Sequence, residues 1–268
     1  ARAQGSPLTD HVAAFPMYQR PELGPAFDTL WSITRDLLRA EGVAAPEALT
    51  VVDDDLLSYW KRPDLLLSQT CGFPFRHYLK DCVTLVGSPD FGLEGCPPGH
   101  YRSALVVRHD DPRQTLREFQ GATLVCNDIH SQSGYAAPLV AASRAGLSFG
   151  NILMSGSHIA SARKVASGSA DTAAIDAVSW RHITGFDSWA TSLRVLCWTE
   201  PTPGLPFITA FAPMAPTLGR CLARAIQSMP RVMRDHLTLQ GLVRIEACHY
   251  LSVADAPDGP QEVTVHFT

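Results

Sequence analysis

The sequence contains no long block of charge of one sign and no long apolar run. Its 22 lysine and arginine residues nearly balance 26 aspartate and glutamate residues, so the formal net charge is only -4. A nucleic-acid-binding protein usually carries a basic stripe that neutralises phosphates, and a nucleic-acid partner is therefore not expected. No apolar run approaches the roughly 18 residues of a membrane-spanning helix. With 268 residues and 46% apolar content, the chain can bury a substantial core, as one large domain or two lobes.

The sequence shows neither an intact secretory signal nor a metal-binding pattern. The opening stretch, Ala1 to Asp10, has no long apolar core, so it is not an intact secretory signal; either the signal was removed or there never was one. The seven cysteines form no CxxC pair and no cluster with histidine, so we expect no metal and no cofactor. Their odd number leaves at least one thiol free in a monomer, which keeps a periplasmic and a cytoplasmic location both open.

Catalytic signatures are lacking as well. The chain has no GxSxG, no GxGxxG after a strand, no HExxH and no phosphate loop with lysine. His130 lies beside Ser131 and near Asp128, but neighbours in sequence rarely have the geometry of a catalytic triad. We therefore expect a binding protein rather than an enzyme.

Short apolar runs alternate with helical patterns along the chain. Leu30, Ile33, Thr34, Leu37 and Leu38 recur at the helical period after Pro21, and Gly42 follows them. Strands are predicted from His11, at Leu49 to Val52, Leu65 to Ser68, Cys82 to Val86, Tyr101 to Arg108, Ala122 to Cys126, Asn151 to Met154, Thr172 to Ile175 and Leu193 to Trp198. This rhythm indicates an α/β protein with mostly parallel sheets flanked by helices.

Two breaks in the pattern predict how the lobes are divided. Asp110 to Pro112 is a polar break after which the rhythm restarts, and Glu200 to Gly204 is rich in turn residues. We expect residues 1–110 and 205–268 to form lobe 1, residues 111–204 to form lobe 2, and a cleft to separate them.

The stretch from Ala122 to Pro138 is the most informative about chemistry. A buried strand ends at Cys126, polar residues follow, and a helix begins near Ser131. The free amides and the positive dipole end of such a helix suit an anion, which the hydroxyls of Ser131 and Ser133 would also bind. Gly134 would let the backbone approach closely. The alternative is that Ser131 or Ser133 only caps the helix.

A second strand-turn-helix unit follows at Ser155 to His158. His158 is either a donor to a bound oxyanion or a structural histidine. Asp176 ends the next predicted strand, at the sheet edge where open α/β sheets bind ligands. Its carboxylate would accept a proton from the ligand or pair with an amine of the ligand, or it would cap the following helix.

Four segments occur in the order seen in the phosphonate-binding proteins of ABC transporters: Gly99 to Pro112, Asn127 to Pro138, Gly156 to His158 with Ala170 to Asp176, and Pro203 to Phe207. Over about residues 11 to 230 the chain resembles that family, whose two α/β lobes have the type II periplasmic-binding-protein architecture and close over a ligand. The resemblance implies a solute-binding protein of an ABC importer that is exported to the periplasm, with a cytoplasmic location as the alternative, and we expect it to be a monomer. Its partners would be a transporter permease and a small oxyanion such as phosphate, phosphite or a phosphonate, captured by hinge closure. A sensor that uses the same cleft, and less so an enzyme acting on a small phosphorylated compound, remain alternatives.

The resemblance also assigns residues to the ligand. It places Ser131, Gln132 and Ser133 at the anion. Further candidates are Gly134, Tyr135, Ser157, His158, Asp176, Tyr18, Ser68, Gln69, Thr70 and Cys71. Cys71 would contact a thiophilic ligand, pair with Cys96 or be a buried, inert thiol.

The sequence departs from this family at two places. Ile159 stands where such phosphonate binders have an acidic residue that holds the ligand's amine, so the resemblance does not extend to a ligand like 2-aminoethylphosphonate. Ser68 and Gln69 replace the aromatic residue of the first lobe, which implies a narrower or more polar cleft.

Overall fold

The computed structural model describes residues 11–52 and 55–257, so the predictions for Ala1 to Asp10 lie outside the described residues. The strands are β1 (Val12–Ala14), β2 (Leu65–Gln69), β3 (Thr84–Asp90), β4 (His100–Tyr101), β5 (Ser103–Arg108), β6 (Thr123–Cys126), β7 (Asn151–Met154), β8 (Thr172–Asp176), β9 (Leu193–Trp198), β10 (Thr202–Pro203), β11 (Phe207–Thr209) and β12 (Gly241–Val243). The helices are α1 (Gly24–Ala40), α2 (Leu56–Trp60), α3 (Gly72–Pro74), α4 (Ala137–Arg144), α5 (His158–Ala166), α6 (Ala177–Phe186), α7 (Ala215–Ser228), α8 (Arg231–Leu237) and α9 (Ala247–Leu251). Shorter 3-10 or π turns precede or follow them at Pro21–Leu23, Phe75–Leu79, Leu116–Phe119, Gln132–Ala136, Ser188–Ser192 and Ala212–Met214.

The chain folds into two compact units. Within the described residues, unit 1 holds 11–52, 55–70, 75–92 and 205–247, and unit 2 holds 71–74, 93–204 and 248–257. The predicted boundary at residue 110 is therefore wrong, because β5 pairs with β8 and β9 inside unit 2. Residues 248–257 also belong to unit 2, where the hydroxyl of Tyr250 donates to the carbonyl of Gly204 at 3.0 Å. The predicted ends of lobe 1, at 1–10 and 258–268, lie outside the described residues.

Unit 1 is a five-stranded sheet in the order β1-β2-β11-β3-β12. Strand β1 runs parallel to β2, whereas β11 is antiparallel to both of its neighbours and β12 is antiparallel to β3. Helix α1 buries Leu30, Thr34 and Leu38, which lie on one face at a spacing of four residues. This face joins α7 in the main core of the unit, so the helical period predicted the buried face of α1 correctly.

Unit 2 contains a second five-stranded sheet in the order β7-β6-β8-β5-β9. Strand β6 is parallel to β7 and β8, and β5 is antiparallel to β8 and β9. The α/β class with helix-flanked sheets is confirmed. Both sheets are mixed rather than mostly parallel, because β11 and β12 in unit 1 and β5 in unit 2 run opposite to the other strands of their sheets.

Most predicted strands are present, some with shifted ends. The strand predicted at Leu49 to Val52 is wrong: the amide of Thr50 donates to the carbonyl of Ala13 at 2.7 Å, but no ladder follows. β-Branched and apolar residues alone therefore did not make a strand there, although β1 lies at the edge of its sheet and has no second ladder partner among the described residues. Among the described residues, no helix has the length and apolar character needed to cross a membrane.

Candidate functional site

Several predicted site residues meet at one edge of the sheet of unit 2. Strands β6, β7 and β8 are parallel, so their carboxyl ends lie at the same edge. Because β5 runs antiparallel to β8, its first residue, Ser103, lies opposite Asp176, the last residue of β8. The turns that leave β6 and β7 lead to the helix starts at Ser131 and Ser157. The sheet thus gathers polar segments that are up to about seventy residues apart in the sequence.

Ser131 caps the helical segment that begins at Gln132. Its Oγ accepts a hydrogen bond from the amide of Gly134 at 3.0 Å. The capping interpretation of Ser131 is therefore confirmed by the geometry, and only 7% of this residue is exposed. A single π turn, Gln132–Ala136, precedes α4, and such turns often mark functional sites.

The amides of this first turn are not equally available to a ligand. The amide of Gln132 donates to Cys71 Sγ at 3.4 Å, and that of Gly134 is taken by Ser131. Within residues 11–52 and 55–257, no group accepts from the amide of Ser133. First-turn amides have no acceptor inside their own helix, so an anion is a natural partner for Ser133.

The side chain of Ser133 joins the two helix starts. Its Oγ lies 3.0 Å from His158 Nε2 and 3.5 Å from Ser131 Oγ, and its carbonyl accepts from Ser103 Oγ at 2.9 Å. Burial lowers the pKa of His158 to about 4, and the backbone carbonyl of Ala174 acts in the opposite direction. His158 is therefore neutral near pH 7. Its Nε2 is hydrogen-bonded to Ser133 Oγ, and the tautomer of the ring decides which of the two atoms donates.

Cys71 and Tyr101 form the other side of this cluster. Cys71 Sγ lies 4.0 Å from the hydroxyl of Tyr101, a strand residue that is only 2% exposed. Burial raises the pKa of the Cys71 thiol, and it raises the pKa of Tyr101 well above its ordinary value. Both side chains are thus neutral. All seven cysteines are within the described residues and free, so the alternative of a Cys71–Cys96 disulfide is not realised.

Asp176 is a helix cap at the same edge. Its Oδ1 accepts from the amides of Val178 and Ser179 at 2.7 and 3.2 Å, and 2% of the residue is exposed. This is the capping arrangement that the sequence left open. The charge of Asp176 also contributes to the raised pKa values of Cys71 and Tyr101.

Gly134 is positioned by close approach rather than by unusual backbone angles. A Cβ atom at this position would overlap Asn127 Oδ1 and would lie 3.2 Å from His158 Cε1. Any larger residue at this position would require the side chain of Asn127, which follows β6 directly, to move away from the turn.

Two predicted residues of unit 2 have other surroundings. Ser157 is exposed and caps α5 by accepting from the amide of Ala160 at 3.1 Å. The ring of Tyr135 packs against a hydrophobic cluster that includes Leu124, Cys126 and Leu139. The structure therefore does not group the Tyr135 ring with Ser133.

The remaining candidates lie in unit 1. The ring of Tyr18 contacts that of Phe91 with centroids 5.3 Å apart, and Tyr18 has a left-handed backbone with φ of 63°. Gln69 Nε2 donates to the carbonyl of Leu205 at 3.1 Å. Ser68 Oγ and Thr70 Oγ1 are buried, with no hydrogen-bond partner in the described part of the chain.

Tyr101, Ser103 and Asn127 were not among the predicted ligand residues, and the structure adds them to the candidate site in unit 2. Tyr101 and Ser103 look like ordinary strand residues. Ser103 reaches this edge because β5 pairs with β8, whereas Tyr101 lies in β4, which pairs with β10. Asn127 could have been found, because it is a polar residue at the carboxyl end of a buried strand.

Comparisons with known proteins identify the family of this chain. A family model described as "ABC transporter, phosphonate, periplasmic substrate-binding protein" matches residues 87–250. A search of curated proteins finds no match.

Solved structures with the same fold share little sequence with this chain. PhnD1 from Prochlorococcus marinus in complex with methylphosphonate is 14% identical, with a TM-score of 0.68 over 90% of this chain and 93% of that one. A binding protein component of an ABC phosphonate transporter from Pseudomonas aeruginosa is 13% identical, with a TM-score of 0.66 over 87% and 80%. XAC2383 from Xanthomonas citri, bound to chloride ion, is 16% identical, with a TM-score of 0.66 over 88% and 91%. These likenesses confirm the two-lobed periplasmic-binding-protein fold.

The matched family consists of substrate-binding components that serve a membrane permease and are not enzymes, as the missing catalytic motifs predicted. The family model covers well over half of the chain, from the third strand of unit 1 to α9 of unit 2. The chain therefore belongs to the family of periplasmic phosphonate substrate-binding proteins of ABC transporters.

Proposed function

We propose that this substrate-binding protein captures a small oxyanion of phosphorus at the helix start formed by Ser131, Ser133 and Gly134, with His158 beside it. The observation that supports the proposal most directly is the state of Ser133. Its amide has no acceptor among the described residues, while its hydroxyl lies 3.0 Å from His158. A ligand oxygen at this point would receive one bond from the backbone and one from the side chain of the same residue.

Neutral donors would hold the ligand. Ser133 contacts the hydroxyls of Ser131, Ser103 and Tyr101 and the imidazole of His158, whose pKa is lowered. Binding by neutral donors and a helix dipole avoids the desolvation of a buried cation when the site is empty.

Gln132 and Tyr135, the neighbours of Ser131 and Ser133, would have smaller roles in ligand binding than predicted. The amide of Gln132 is already taken by Cys71, so Gln132 would contribute only when that contact is exchanged. Tyr135 would support α4 from the hydrophobic cluster.

Asp176 would act through charge rather than by direct coordination. Its carboxylate accepts two helix amides and lies opposite Ser103 in the sheet. A negative charge on Asp176 would favour a ligand with fewer negative charges, such as a monoanion, over a dianion.

The remaining parts of the proposal concern the whole protein. We propose that it works as a monomer in the periplasm and delivers the oxyanion to its permease. Tyr18, Ser68, Gln69 and Thr70 would complete the ligand contacts from unit 1, and hinge closure would accompany capture. The buried hydroxyls of Ser68 and Thr70, which have no partner in the described residues, are consistent with a polar ligand contact.

Calorimetry tests the ligand class. The full chain is titrated with methylphosphonate, phosphite, phosphate and sulfate, and micromolar or tighter binding to at least one phosphorus oxyanion is expected. Ser133→Ala should weaken that binding by about tenfold to a hundredfold, since a hydrogen bond to a charged group is removed.

Ser192→Ala is the matched control. Ser192 is an exposed serine of unit 2 whose Oγ donates to the carbonyl of Trp189 at 2.8 Å. Its replacement should leave the affinity unchanged. Binding to none of the four anions, or equal affinities of the Ser133→Ala and Ser192→Ala variants, would contradict the proposed site.

A further inference from the structure

Cys71 is placed where it touches the ligand-binding turn of unit 2. The chain reaches it directly after β2, and the sulfur then accepts from the amide of Gln132, the first residue of the turn, at 3.4 Å. The next amide, that of Ser133, is the one without an acceptor in the described residues. Successive amides of a helical first turn are only a few ångströms apart. A phosphorus oxyanion bound to Ser133 would therefore lie against the Cys71 sulfur.

The sulfur is a poor partner for an oxygen atom. A thiol is a weak donor and its sulfur is a weak acceptor. Burial raises the pKa of Cys71, so the group stays a neutral thiol, and the hydroxyl of Tyr101 at 4.0 Å is too distant to polarise it strongly. An anionic oxygen that faced this sulfur would lose its water and gain little in return. A methyl group or a hydrogen on phosphorus would instead make a favourable apolar contact.

We infer that Cys71 determines specificity in this site by favouring ligands whose fourth substituent on phosphorus is apolar. The three oxygens of such a ligand would face Ser131, Ser133 and His158, and its carbon or hydrogen would face the thiol. Methylphosphonate and phosphite meet this condition, whereas phosphate presents a fourth oxygen to the sulfur. The inference rests on the proposed function, because it requires an oxyanion at Ser133.

Cys71→Ser tests the inference with a change of one atom. The serine hydroxyl can donate to a fourth oxygen, so phosphate should bind more tightly to the variant than to the wild type. We expect the ratio of methylphosphonate affinity to phosphate affinity to fall by about threefold to tenfold, the effect of one added hydrogen bond. Cys71→Ala removes the sulfur without adding a donor, so phosphate should gain less with alanine than with serine.

Cys96→Ser is the control of the same type. Cys96 is a half-buried cysteine of unit 2 whose thiol pKa is also raised by burial. Its substitution should leave the affinity ratio unchanged. An equal ratio in wild type and Cys71→Ser would overturn the inference.

The wild-type protein provides two further measurements in case Cys71→Ser does not fold. Calorimetry should show methylphosphonate bound more tightly than phosphate, and the reverse order would overturn the inference. Saturating methylphosphonate should also slow the reaction of Cys71 with N-ethylmaleimide, measured by mass spectrometry of the labelled peptide. An unchanged labelling rate would likewise overturn it. If the wild type binds no phosphorus oxyanion at all, the proposed function itself fails, which is a distinguishable outcome.

Discussion

The observed role of Ser131 as a helix cap and its proposed role in an anion site can be separated by two substitutions of nearly equal shape. Ser131→Asn and Ser131→Asp both provide a side-chain oxygen for the amide of Gly134, and both residue types are good N-caps. They differ by one negative charge at the point where the oxyanion is proposed to bind. A comparison of the two variants therefore isolates the effect of charge on capture.

The expected magnitudes follow from the geometry. Ser131→Ala loses the cap at 3.0 Å and should lower the free energy of unfolding by about 1 kcal/mol. Ser131→Asn should retain most of that stability and bind the oxyanion within about tenfold of wild type. In Ser131→Asp, two like charges roughly 4 Å apart repel by about 4 kcal/mol at an effective dielectric constant near 20. This corresponds to an affinity loss of about a thousandfold, which removes detectable binding.

The measurements are isothermal titration calorimetry with methylphosphonate and urea denaturation followed by circular dichroism. Because the protein has two compact units, the denaturation midpoints of the variants are compared under identical conditions rather than as absolute free energies. If Ser131→Asp binds the oxyanion as tightly as Ser131→Asn, no anion approaches this helix start and the reasoning is wrong.

Two other predictions concern His158 and Gly134. Burial lowers the pKa of His158 from 6.5 to about 4, so between these values the unfolded chain binds a proton that the folded protein does not. The free energy of unfolding should therefore fall by at most about 3 kcal/mol as the pH drops from 6.5 to 4. Urea titrations at the two pH values should show a smaller decrease for His158→Gln than for the wild type. Equal decreases would argue against a buried neutral imidazole. Gly134→Ala should weaken oxyanion binding at least about tenfold in calorimetry, because the added Cβ would overlap Asn127 Oδ1. Gly185→Ala in helix α6 is the control, because a Cβ atom at that position would meet nothing within 4 Å. This variant should bind the oxyanion as the wild type does. Equal binding by both glycine variants would contradict the proposed close packing.

Hydrophobic periodicity in the sequence predicted most elements of the fold. The buried face of α1 and the buried strand β6 follow from the spacing of their own apolar residues, because the backbone geometry of a helix or strand decides which positions share a face. The prediction of a strand at Leu49 to Val52 was wrong because a strand also needs a ladder of backbone hydrogen bonds to a neighbour, and this segment forms none with the edge strand β1. The division at residue 110 failed for the same reason: nothing local to β5 states that it will join β8 and β9.

The sequence also predicted the two helix starts at Ser131 and near His158, since polar residues after a buried strand indicate a cap or an anion site. It left open whether Asp176 is a cap, and the amides of Val178 and Ser179 decided that question. Local patterns cannot show which capping groups are already satisfied, because that depends on atoms brought in from distant segments.

By itself, then, the sequence determined the α/β class, the absence of catalytic signatures and the resemblance to phosphonate-binding proteins. These properties depend on residue order and periodicity within short windows. Tertiary structure alone decided that Cys71 occupies the amide of Gln132, that His158 pairs with Ser133 and that Tyr101 and Ser103 join them. Each of these contacts spans 25 or more residues, and such contacts are fixed by strand order rather than by any local preference of the residues involved.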